Sequence, residues 1–449
     1  MSRSALLPLA APFLILLLCL TGCPHAPQPG TPPPPGTAPT AATTTVNLWT
    51  IWNAEPRQSA LAGIVKDFEA TNPGIKVKVS TFEPDAYKTQ IKVVLGGGEA
   101  PDIYFVWSGE KMLHSFVRGG KVADLTSYMD ADGGAWRRRM IPASLDRFSF
   151  DGKVRGVPYL LQCTFFFYNK AMFEKHGWQA PKTWKELETL CGKIKAAGIT
   201  PLALGNAEKW PAHHYPFVLT QRLIGKEATE KEYDPTGPGD YSDPGFVKAL
   251  QMFSDFAKQG VFNSSPNGTS RNTARALFYA GKTAMFYTGT WDFSRLVKGG
   301  EAPESFWLQW DFFNFPAVEG GKGDQTALAG APDGYVVAES SKDKDAAVKF
   351  LQFMTTQEQA RKFVAACQEL VQVQGAVEEK TSGPHLFKYA QMVEQAKQIT
   401  PWMDTMMEAT VAEEYMNGVQ GLLGGTMTPE QVIEKVRQRQ AVVKKEMGG

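Results

Sequence analysis

Tryptophan and small polar side chains recur where the predicted strands end, and an α/β protein builds its binding cleft at such strand ends. An indole offers a flat apolar ring and one N–H donor, so several of them suit a ligand with apolar faces and polar edges. Neighbouring carboxylate, amide, ammonium and imidazole groups can pair with hydroxyl groups. We therefore expect a pocket for a neutral polar solute such as a sugar. The candidate ligand-binding residues are Trp49, Trp52, Asp102, Trp107, Gln162, Asn206, Lys209, Trp210, His213, Gly289, Thr290, Trp291, Asp333, Gly334 and Trp402.

Each candidate takes its position from a predicted element. Trp49 and Trp52 end the first strand, and Asp102 and Trp107 flank the third. Gln162 lies in a long apolar strand that crosses the molecule. Of the later candidates, four follow a strand, three form a strand-to-helix turn, two precede a return strand and one precedes a long helix. Free backbone N–H groups at the strand-to-helix turn can bind a ligand oxygen.

The first folded segment alternates strand and helix. The helix predicted at 57–70 carries Leu61, Ile64, Val65 and Phe68 at i, i+3, i+4 and i+7, which is the apolar face of a helix. The strand that follows alternates apolar and polar residues. This β-α-β-α-β order predicts a parallel sheet with right-handed crossovers.

The middle and the end of the chain continue the same pattern. Thr183 and Glu186 have the spacing of a capping box and predict the start of a helix. Thr428 followed by Pro429 predicts the start of the final helix. The sequence therefore predicts an α/β protein whose strands and helices continue through the middle of the chain and which ends in a helix.

The N-terminus predicts export. Arg3 precedes an apolar run that ends in Leu20-Thr21-Gly22-Cys23, and such a run is typical of a secretory signal peptide. Its ending resembles a bacterial lipoprotein signal, which implies that Cys23 is lipidated and becomes the first mature residue. The alternative is an uncleaved membrane anchor, which is disfavoured because the run is short and contains Pro8 and Pro12.

A Pro-, Ala-, Gly- and Thr-rich segment follows, from Pro24 to Thr45. It lacks the apolar residues of a core, and proline keeps it extended, so we expect a tether that holds a globular part off the bilayer. The sequence after it has no second apolar stretch long enough for a membrane span.

Charge and cysteine usage exclude further classes of protein. The formal net charge is +1, whereas a nucleic-acid-binding protein has a basic surplus. The folded part contains Cys163, Cys191 and Cys367. Export permits a Cys163–Cys191 disulfide, and the alternative of buried free thiols is favoured.

Several pieces of sequence, taken together, carry a family resemblance. They are FYAGKTAM at 278–285 with TGTW at 288–291, VPY at 157–159 with FYNKAMF at 167–173, and GYVVA at 334–338 with AAVKFL at 346–351. In order and spacing they resemble the extracellular solute-binding proteins of ABC transporters, in the carbohydrate-binding group related to maltose-binding protein.

The resemblance implies the type II periplasmic-binding-protein fold: two lobes, each a mostly parallel sheet flanked by helices, with the ligand cleft between them. It also implies that the lobes close on the ligand and that the chain delivers it to a permease. The predicted boundaries are 1–22 for the signal peptide, 23–45 for the tether, 46–158 plus about 329–358 for the N-terminal lobe, and 159–328 plus about 359–449 for the C-terminal lobe.

We therefore expect an exported, monomeric sugar-binding lipoprotein that is anchored to the bacterial cell membrane through acyl groups on Cys23 and faces the periplasm or the exterior. Its expected partners are a carbohydrate, the transmembrane subunits of an ABC permease and the lipid bilayer, with no nucleic acid. A sensor could replace the permease as the receiving partner. Alternatives are the same fold binding a polyol phosphate, polyamine or metal chelate, and an exported glycoside hydrolase. A phosphate-bearing ligand is disfavoured because it would be bound by several arginines, and the predicted strand ends hold almost none.

Catalytic and cofactor motifs do not fit. Gly281-Lys282-Thr283 matches the end of a phosphate-binding loop, but residue 276 is alanine and Lys282 precedes a strand. The adjacent His213 and His214 do not have the spacing of a metal site. We expect no enzyme activity, no cofactor and no metal.

Overall fold

The structure is a computed structural model and describes residues 43–234 and 237–447. The predicted signal peptide, its Cys23 and nearly all of the predicted tether lie outside these residues. The strands are β1 (Thr44–Thr50), β2 (Ile75–Thr81), β3 (Ile103–Trp107), β4 (Ser149–Phe150), β5 (Lys153–Val154), β6 (Val157–Asn169), β7 (Thr200–Ala203), β8 (Thr283–Gly289), β9 (Trp310–Phe313), β10 (Leu328–Val337) and β11 (Ile399–Thr400).

The helices lie between these strands and after the last one, in several places with two or more in succession. They are α1 (Arg57–Thr71), α2 (Pro84–Gly97), α3 (Ser115–Arg118), α4 (Thr126–Arg139), α5 (Pro142–Asp146), α6 (Lys170–His176), α7 (Trp184–Ala196), α8 (Trp210–Ile224), α9 (Lys226–Glu230), α10 (Pro244–Lys258), α11 (Arg271–Tyr279), α12 (Lys344–Met354), α13 (Gln357–Cys367), α14 (Pro384–Gln395), α15 (Met403–Met406), α16 (Ala409–Leu423) and α17 (Pro429–Met447). Short helical turns occupy Glu110–His114, Pro266–Gly268, Thr290–Leu296 and Glu304–Phe306.

The helix starts follow the capping chemistry of the sequence. The Thr183 hydroxyl accepts a hydrogen bond from the Glu186 N–H at 3.2 Å, as predicted for the start of α7. The Glu186 carboxylate accepts from the N–H of Lys182 at 2.6 Å, one residue before the position that a capping box predicts. The final helix, α17, begins at Pro429, directly after Thr428.

The sheet runs in the order β2-β1-β3-β10-β6-β8-β7, and β9 and β11 pair with β6 and β10. The predicted β-α-β-α-β segment forms the parallel part, since β1 is parallel to both β2 and β3. The strand β10 is antiparallel to β3 and to β6, and β6 is antiparallel to β8. The sheet is therefore mixed, with the two long strands β6 and β10 at its centre.

Two hydrophobic cores fill the molecule. One surrounds β1, β2 and β3 together with α1, α2 and α12. The other surrounds β7 and β8 together with α7, α8, α10, α16 and α17. The strands β6 and β10 contribute side chains to both cores. The predicted α/β class with two lobes is confirmed, and the lobes are joined by these strands.

The segment after α12 packs differently from the predicted lobe boundary. The sequence analysis assigned residues from about 359 onward to the C-terminal lobe. In the structure, however, α13 packs on α1, and Phe363, Val371 and Tyr389 belong to the first core. The reason is an apolar face on α13 that completes the cover over α1. The other predicted domain boundaries stay predictions.

The structure also bears on the expected state of the cysteines and on the expectation of no second membrane span. Cys163, Cys191 and Cys367 are buried free thiols, which confirms the favoured alternative over a disulfide. Burial raises the pKa of the Cys163 thiol to about 12, so it stays protonated. Among the described residues no helix is both long and apolar enough to cross a membrane.

Candidate functional site

A cleft between the two cores is lined by four tryptophans. It holds about 1110 Å³ of space free of protein atoms, counting the solvent at its mouth. Trp107 comes from the first-core side, and Trp210, Trp291 and Trp402 come from the second-core side. We call the last three the tryptophan cluster. Such a lining suits a ligand with flat apolar faces.

The tryptophan cluster is centred on Trp291. Its ring centroid lies 5.7 Å from that of Trp210 and 5.8 Å from that of Trp402, with both pairs edge to face. The indole N–H groups of Trp291 and Trp402 are buried and have no hydrogen-bond partner in the described part of the chain. A buried donor without a partner costs free energy, so these two N–H groups are free to bind a ligand oxygen.

Strand ends and helix starts hold these rings in place. Trp291 belongs to the helical turn Thr290–Leu296 directly after β8, and a Cβ at Gly289 would overlap its ring. Trp210 is the first residue of α8. Trp402 immediately precedes α15. Glycine at 289 is therefore needed because the ring of Trp291 folds back over the backbone.

The floor of the cleft contains a buried charged network. The Arg57 guanidinium donates to the Glu369 carboxylate through Nε at 2.7 Å and through Nη2 at 2.5 Å. Glu369 also accepts from Gln162 Nε2 at 3.1 Å, and Gln162 Oε1 accepts from the Thr290 hydroxyl at 2.7 Å. Burial alone would lower the pKa of Arg57, but Glu369 raises it above its ordinary value. The network connects α1 on one side of the cleft with the turn after β8 on the other.

Asp333 lies in the cleft beside this network. It pairs with Trp107 in the register of β10 and β3, and its Oδ1 is buried without a hydrogen-bond partner among the described residues. Burial raises the pKa of Asp333 well above its ordinary value, although Arg57 opposes this shift. The Asp333 carboxyl group is therefore a second polar group that is available to a ligand.

Two adjacent histidines support the second-core side. His213 Nε2 lies 3.1 Å from Asp404 Oδ1, and its Nδ1 lies against the carbonyl of Trp210. Burial opposes the ionisation of Asp404, but His213 lowers the pKa of Asp404 below its ordinary range. His214 lines the cleft, and burial together with His213 lowers its pKa, so its imidazole is neutral. The described residues contain no cluster of His, Cys, Asp or Glu that could hold a metal ion.

The cleft also contains more basic residues than the sequence analysis predicted. Arg57, Arg271 and Arg295 line it together with Lys88, Lys92 and Lys111. The sequence analysis considered only the predicted strand ends, which hold almost no arginine, whereas these arginines come from the starts of α1 and α11 and from the turn after β8.

Comparison with known proteins identifies the family. The family model for bacterial extracellular solute-binding proteins matches residues 52–361. The chain belongs to this family. The family is one of solute-binding proteins.

Individual relatives agree with this identification. The solute-binding protein is 26% identical over 333 residues to the multiple sugar-binding protein of Streptococcus mutans, covering 72% of this chain and 74% of the relative. A solved structure from work on xylan utilization by Caldanaerobius polysaccharolyticus is 28% identical, with a TM-score of 0.82, and 88% of this chain covers 99% of that one. A chitin oligosaccharide binding protein has a TM-score of 0.81 at 24% identity, covering 90% of this chain and 99% of that one, and shows the shared fold. The expected type II periplasmic-binding-protein fold is confirmed.

Nine of the fifteen predicted site residues meet in or directly beneath the cleft of this solute-binding protein. The five that line it are Trp107, Trp210, Trp291, Asp333 and Trp402. The four that support it are Gln162, His213, Gly289 and Thr290, through the contacts described above.

The two tryptophans of the first strand lie elsewhere. Trp49 packs on Phe82 with 4.5 Å between the ring centroids. Trp52 is 1% exposed and packs against Tyr159 and Phe363 in the first core. The strand-end argument failed here because these rings complete the core beside β1 instead of projecting beyond it.

Four polar or glycine candidates serve the fold rather than the cleft. Asp102, at the opposite end of β3, accepts hydrogen bonds from the Asn47 N–H at 2.8 Å and the Ser341 hydroxyl at 2.6 Å. Asn206 accepts from the Ala212 N–H, and Lys209 pairs with Glu413 at 2.7 Å. A Cβ at Gly334 would overlap the carbonyl of Val157 in the neighbouring strand.

The lining residues that sequence reasoning missed share one origin. Arg57, Lys88 and Arg271 lie in the first two turns of α1, α2 and α11, and Lys111 lies in the turn after β3. Lysine and arginine at such positions are ordinarily solvated surface residues, so no local signal in the sequence marks them as part of a cleft.

Proposed function

We propose that this chain is the sugar-capturing component of an ABC importer. The observation that carries the proposal is the tryptophan cluster, which lines the cleft and includes two buried indole N–H groups without hydrogen-bond partners among the described residues. The C–H faces of a sugar ring would pack on the indoles, and its hydroxyl groups would accept from the indole N–H groups and donate to Asp333. A site built to pair hydroxyl groups discriminates strongly against solutes that lack them.

The relatives support a sugar over other solutes. The Streptococcus mutans relative is a multiple sugar-binding protein, and the Caldanaerobius structure comes from a study of xylan utilization. Both match this chain over most of its length. We therefore carry the class of ligand, a mono- or oligosaccharide, to this chain.

Capture would proceed by closure of the lobes around β6 and β10. The ligand would contact Trp107 and Asp333 from one side and the tryptophan cluster from the other only when the cleft is closed. Binding would then shift the population toward the closed state, because only that state makes both sets of contacts. The closed faces would be presented to the transmembrane subunits of the permease.

Export and anchoring through Cys23 complete the proposal. The acylated cysteine and the Pro-rich segment after it would hold a monomeric binding domain at the cell membrane, on its outer side. We expect a Cys23→Ala variant to leave the detergent phase of a Triton X-114 partition, whereas a Cys191→Ala variant stays in it. Equal partition of both variants would remove the lipid anchor from the proposal.

The test of binding is a thermal-shift screen of the detergent-solubilised full-length protein against mono-, di- and oligosaccharides, polyols and polyamines. A ligand at 100 times its dissociation constant adds about 2.7 kcal/mol to the free energy of unfolding and raises Tm by several degrees. We expect one sugar class to give this shift and to be recovered chemically unchanged, as for a binding protein rather than a hydrolase. A shift with polyamines alone would reject a sugar ligand, and release of shortened sugars would reject a binding protein.

A further inference from the structure

The charge of the cleft differs from that of the whole chain. Six basic and two acidic side chains line it, whereas the formal net charge of the full sequence is only +1. A neutral sugar needs no such excess of positive charge. Whether the excess acts on a ligand depends on which of the six cations are already neutralised by neighbouring carboxylates.

The positive charges of two of the cations are balanced by neighbouring carboxylates. Arg57 is bound by Glu369 through two hydrogen bonds. Arg295 contacts Glu301 and lies 3.6 Å from Asp292. Both arginines are paired with carboxylates, so they add little net charge to the cleft.

Three of the remaining cations form a lysine group: Lys88, Lys92 and Lys111. Lys88 and Lys92 occupy successive turns of α2, a like-charge spacing that destabilises a helix. Among the described residues, Lys88 alone of the three forms an ion pair, with Asp85 at 2.8 Å, whereas Asp404 and Glu413 act on Lys111 from farther away. The Lys88 ammonium also lies 5.3 Å from the ring centre of Trp107, which places the group beside the stacking surface.

The fourth remaining cation, Arg271, faces the cleft from the start of α11. Its guanidinium lies 5.5 Å from the ring centre of Trp210 and 3.8 Å from the Glu83 carboxylate, while its backbone N–H donates to Glu208. Its Nε is buried without a hydrogen-bond partner in the described residues. Burial lowers the pKa values of Arg271 and Lys111, with Arg275 adding to the shift of Arg271 and Asp404 opposing that of Lys111.

We propose that the ligand of this cleft is an acidic sugar, whose anionic group binds Lys111 and Arg271 while its ring packs on the neighbouring tryptophans. This inference rests on the proposed function and narrows its ligand class. The shared chemistry is an oxyanion on a polyhydroxy ring, either the carboxylate of a uronic acid or the phosphate of a sugar phosphate. Arginine forks bind both groups through paired N–H donors.

The test is calorimetric titration of the detergent-solubilised full-length protein with matched sugars. The pairs are glucose with glucuronate, galactose with galacturonate, neutral xylo-oligosaccharides with glucuronate-substituted ones, and glucose with glucose 6-phosphate. We expect the acidic member of one pair to bind about tenfold more tightly or better, as a charged hydrogen bond in a partly buried site provides. The preference should decrease as salt screens the charges. Tighter binding of a uronate identifies a carboxylate as the anionic group, and tighter binding of glucose 6-phosphate identifies a phosphate.

Variants locate the preference. Lys111→Gln and Arg271→Gln should each reduce the acidic-to-neutral affinity ratio about tenfold. Lys349→Gln and Arg439→Gln, at exposed positions on α12 and α17, should leave the ratio unchanged. Near-ultraviolet circular dichroism checks that each variant is folded.

The possible results distinguish failure of the acidic-sugar inference from failure of the proposed sugar-binding function. Equal or tighter binding of the neutral members, or a ratio that neither cleft variant changes, overturns the acidic-sugar inference and leaves sugar capture standing. Absence of binding by every neutral and acidic sugar overturns both.

Discussion

The two sides of the cleft are built from different chemistry. The second-core side presents rings, with Trp210, Trp291 and Trp402 in mutual edge-to-face contact. The first-core side presents charged groups, from the lysine group and Arg57, and contributes one tryptophan, Trp107, to the lining. Rings provide affinity for any ligand with a flat apolar face, whereas charges select among such ligands. Affinity and selection are therefore separable in this protein, and each side can be altered alone.

The two sides also differ in what keeps them folded. The ring side rests on the second hydrophobic core, whereas the charged side depends on the buried Arg57–Glu369 pair. Removing one member of such a pair leaves the other charge buried without compensation, which costs more than the pair itself contributes. The charged side should thus be the less tolerant of substitution.

The largest effect is expected from Glu369→Gln. Glu369 is 1% exposed and accepts hydrogen bonds from Arg57 and Gln162. We expect the free energy of unfolding to decrease by about 3–5 kcal/mol, as for other broken buried ion pairs. Urea denaturation of the unliganded protein measures this loss.

The control is Glu434→Gln, which removes an exposed carboxylate 4.0 Å from Arg437 and should barely change the unfolding curve. Adding Arg57→Met to the Glu369 variant should restore part of the loss, because the uncompensated charge is then gone. Equal curves for the Glu369 and Glu434 variants would mean that the charged side does not depend on this pair.

A smaller effect, confined to the ring side, is expected from Gly289→Ala. The new methyl group would overlap the indole of Trp291 and push it out of the tryptophan cluster. We expect sugar affinity to decrease about tenfold, or about 1.4 kcal/mol, measured by titration calorimetry. Gly192→Ala is the matched control, because a methyl group there meets no atom within 4 Å. Similar affinity in both variants would show that the position of Trp291 does not matter.

The smallest effect concerns pH and Asp333. Its raised pKa means that the folded chain keeps this proton at pH values where the unfolded chain has released it. The free energy of unfolding should therefore decrease as the pH rises from about 4, the ordinary pKa of aspartate, toward the raised value. Asp333→Asn removes this titration. At pH 8 the free energy of unfolding of the variant should be about 1 kcal/mol higher than that of the native protein.

Denaturation curves across pH check this expectation, with Asp146→Asn, at the exposed end of α5, as the control that should follow the native protein. A parallel pH dependence of the native and Asp333→Asn proteins would place the titration elsewhere.

Strand-end reasoning from the sequence recovered the ring side well. Trp291 and Trp210 follow β8 and β7, and their aromatic type together with that position was enough to predict them. The supporting Gln162 and Thr290 were also found. The prediction failed for Trp49 and Trp52, because strand position alone does not tell whether a ring points beyond the sheet or back into its core.

The charged side could not be predicted from strand ends. Arg57, Lys88 and Arg271 sit on helices, where a lysine or an arginine in the sequence is ordinarily a solvated surface residue. Only the packing of the first turns of α1, α2 and α11 around one cleft distinguishes these cations from the many others. Their function depends on tertiary contacts, so no local pattern in the sequence marks them.

The central claim is that a sugar binds in this cleft on the tryptophan cluster. Titration calorimetry of Trp291→Ala beside Trp49→Ala, with the sugar that the thermal-shift screen identifies, tests it most directly. Trp291 is central to the cleft and Trp49 packs on Phe82 outside it. The account predicts a loss of about 2 kcal/mol or more, roughly 30-fold in affinity, for Trp291→Ala and no change for Trp49→Ala. Unchanged affinity in the Trp291 variant would contradict the account.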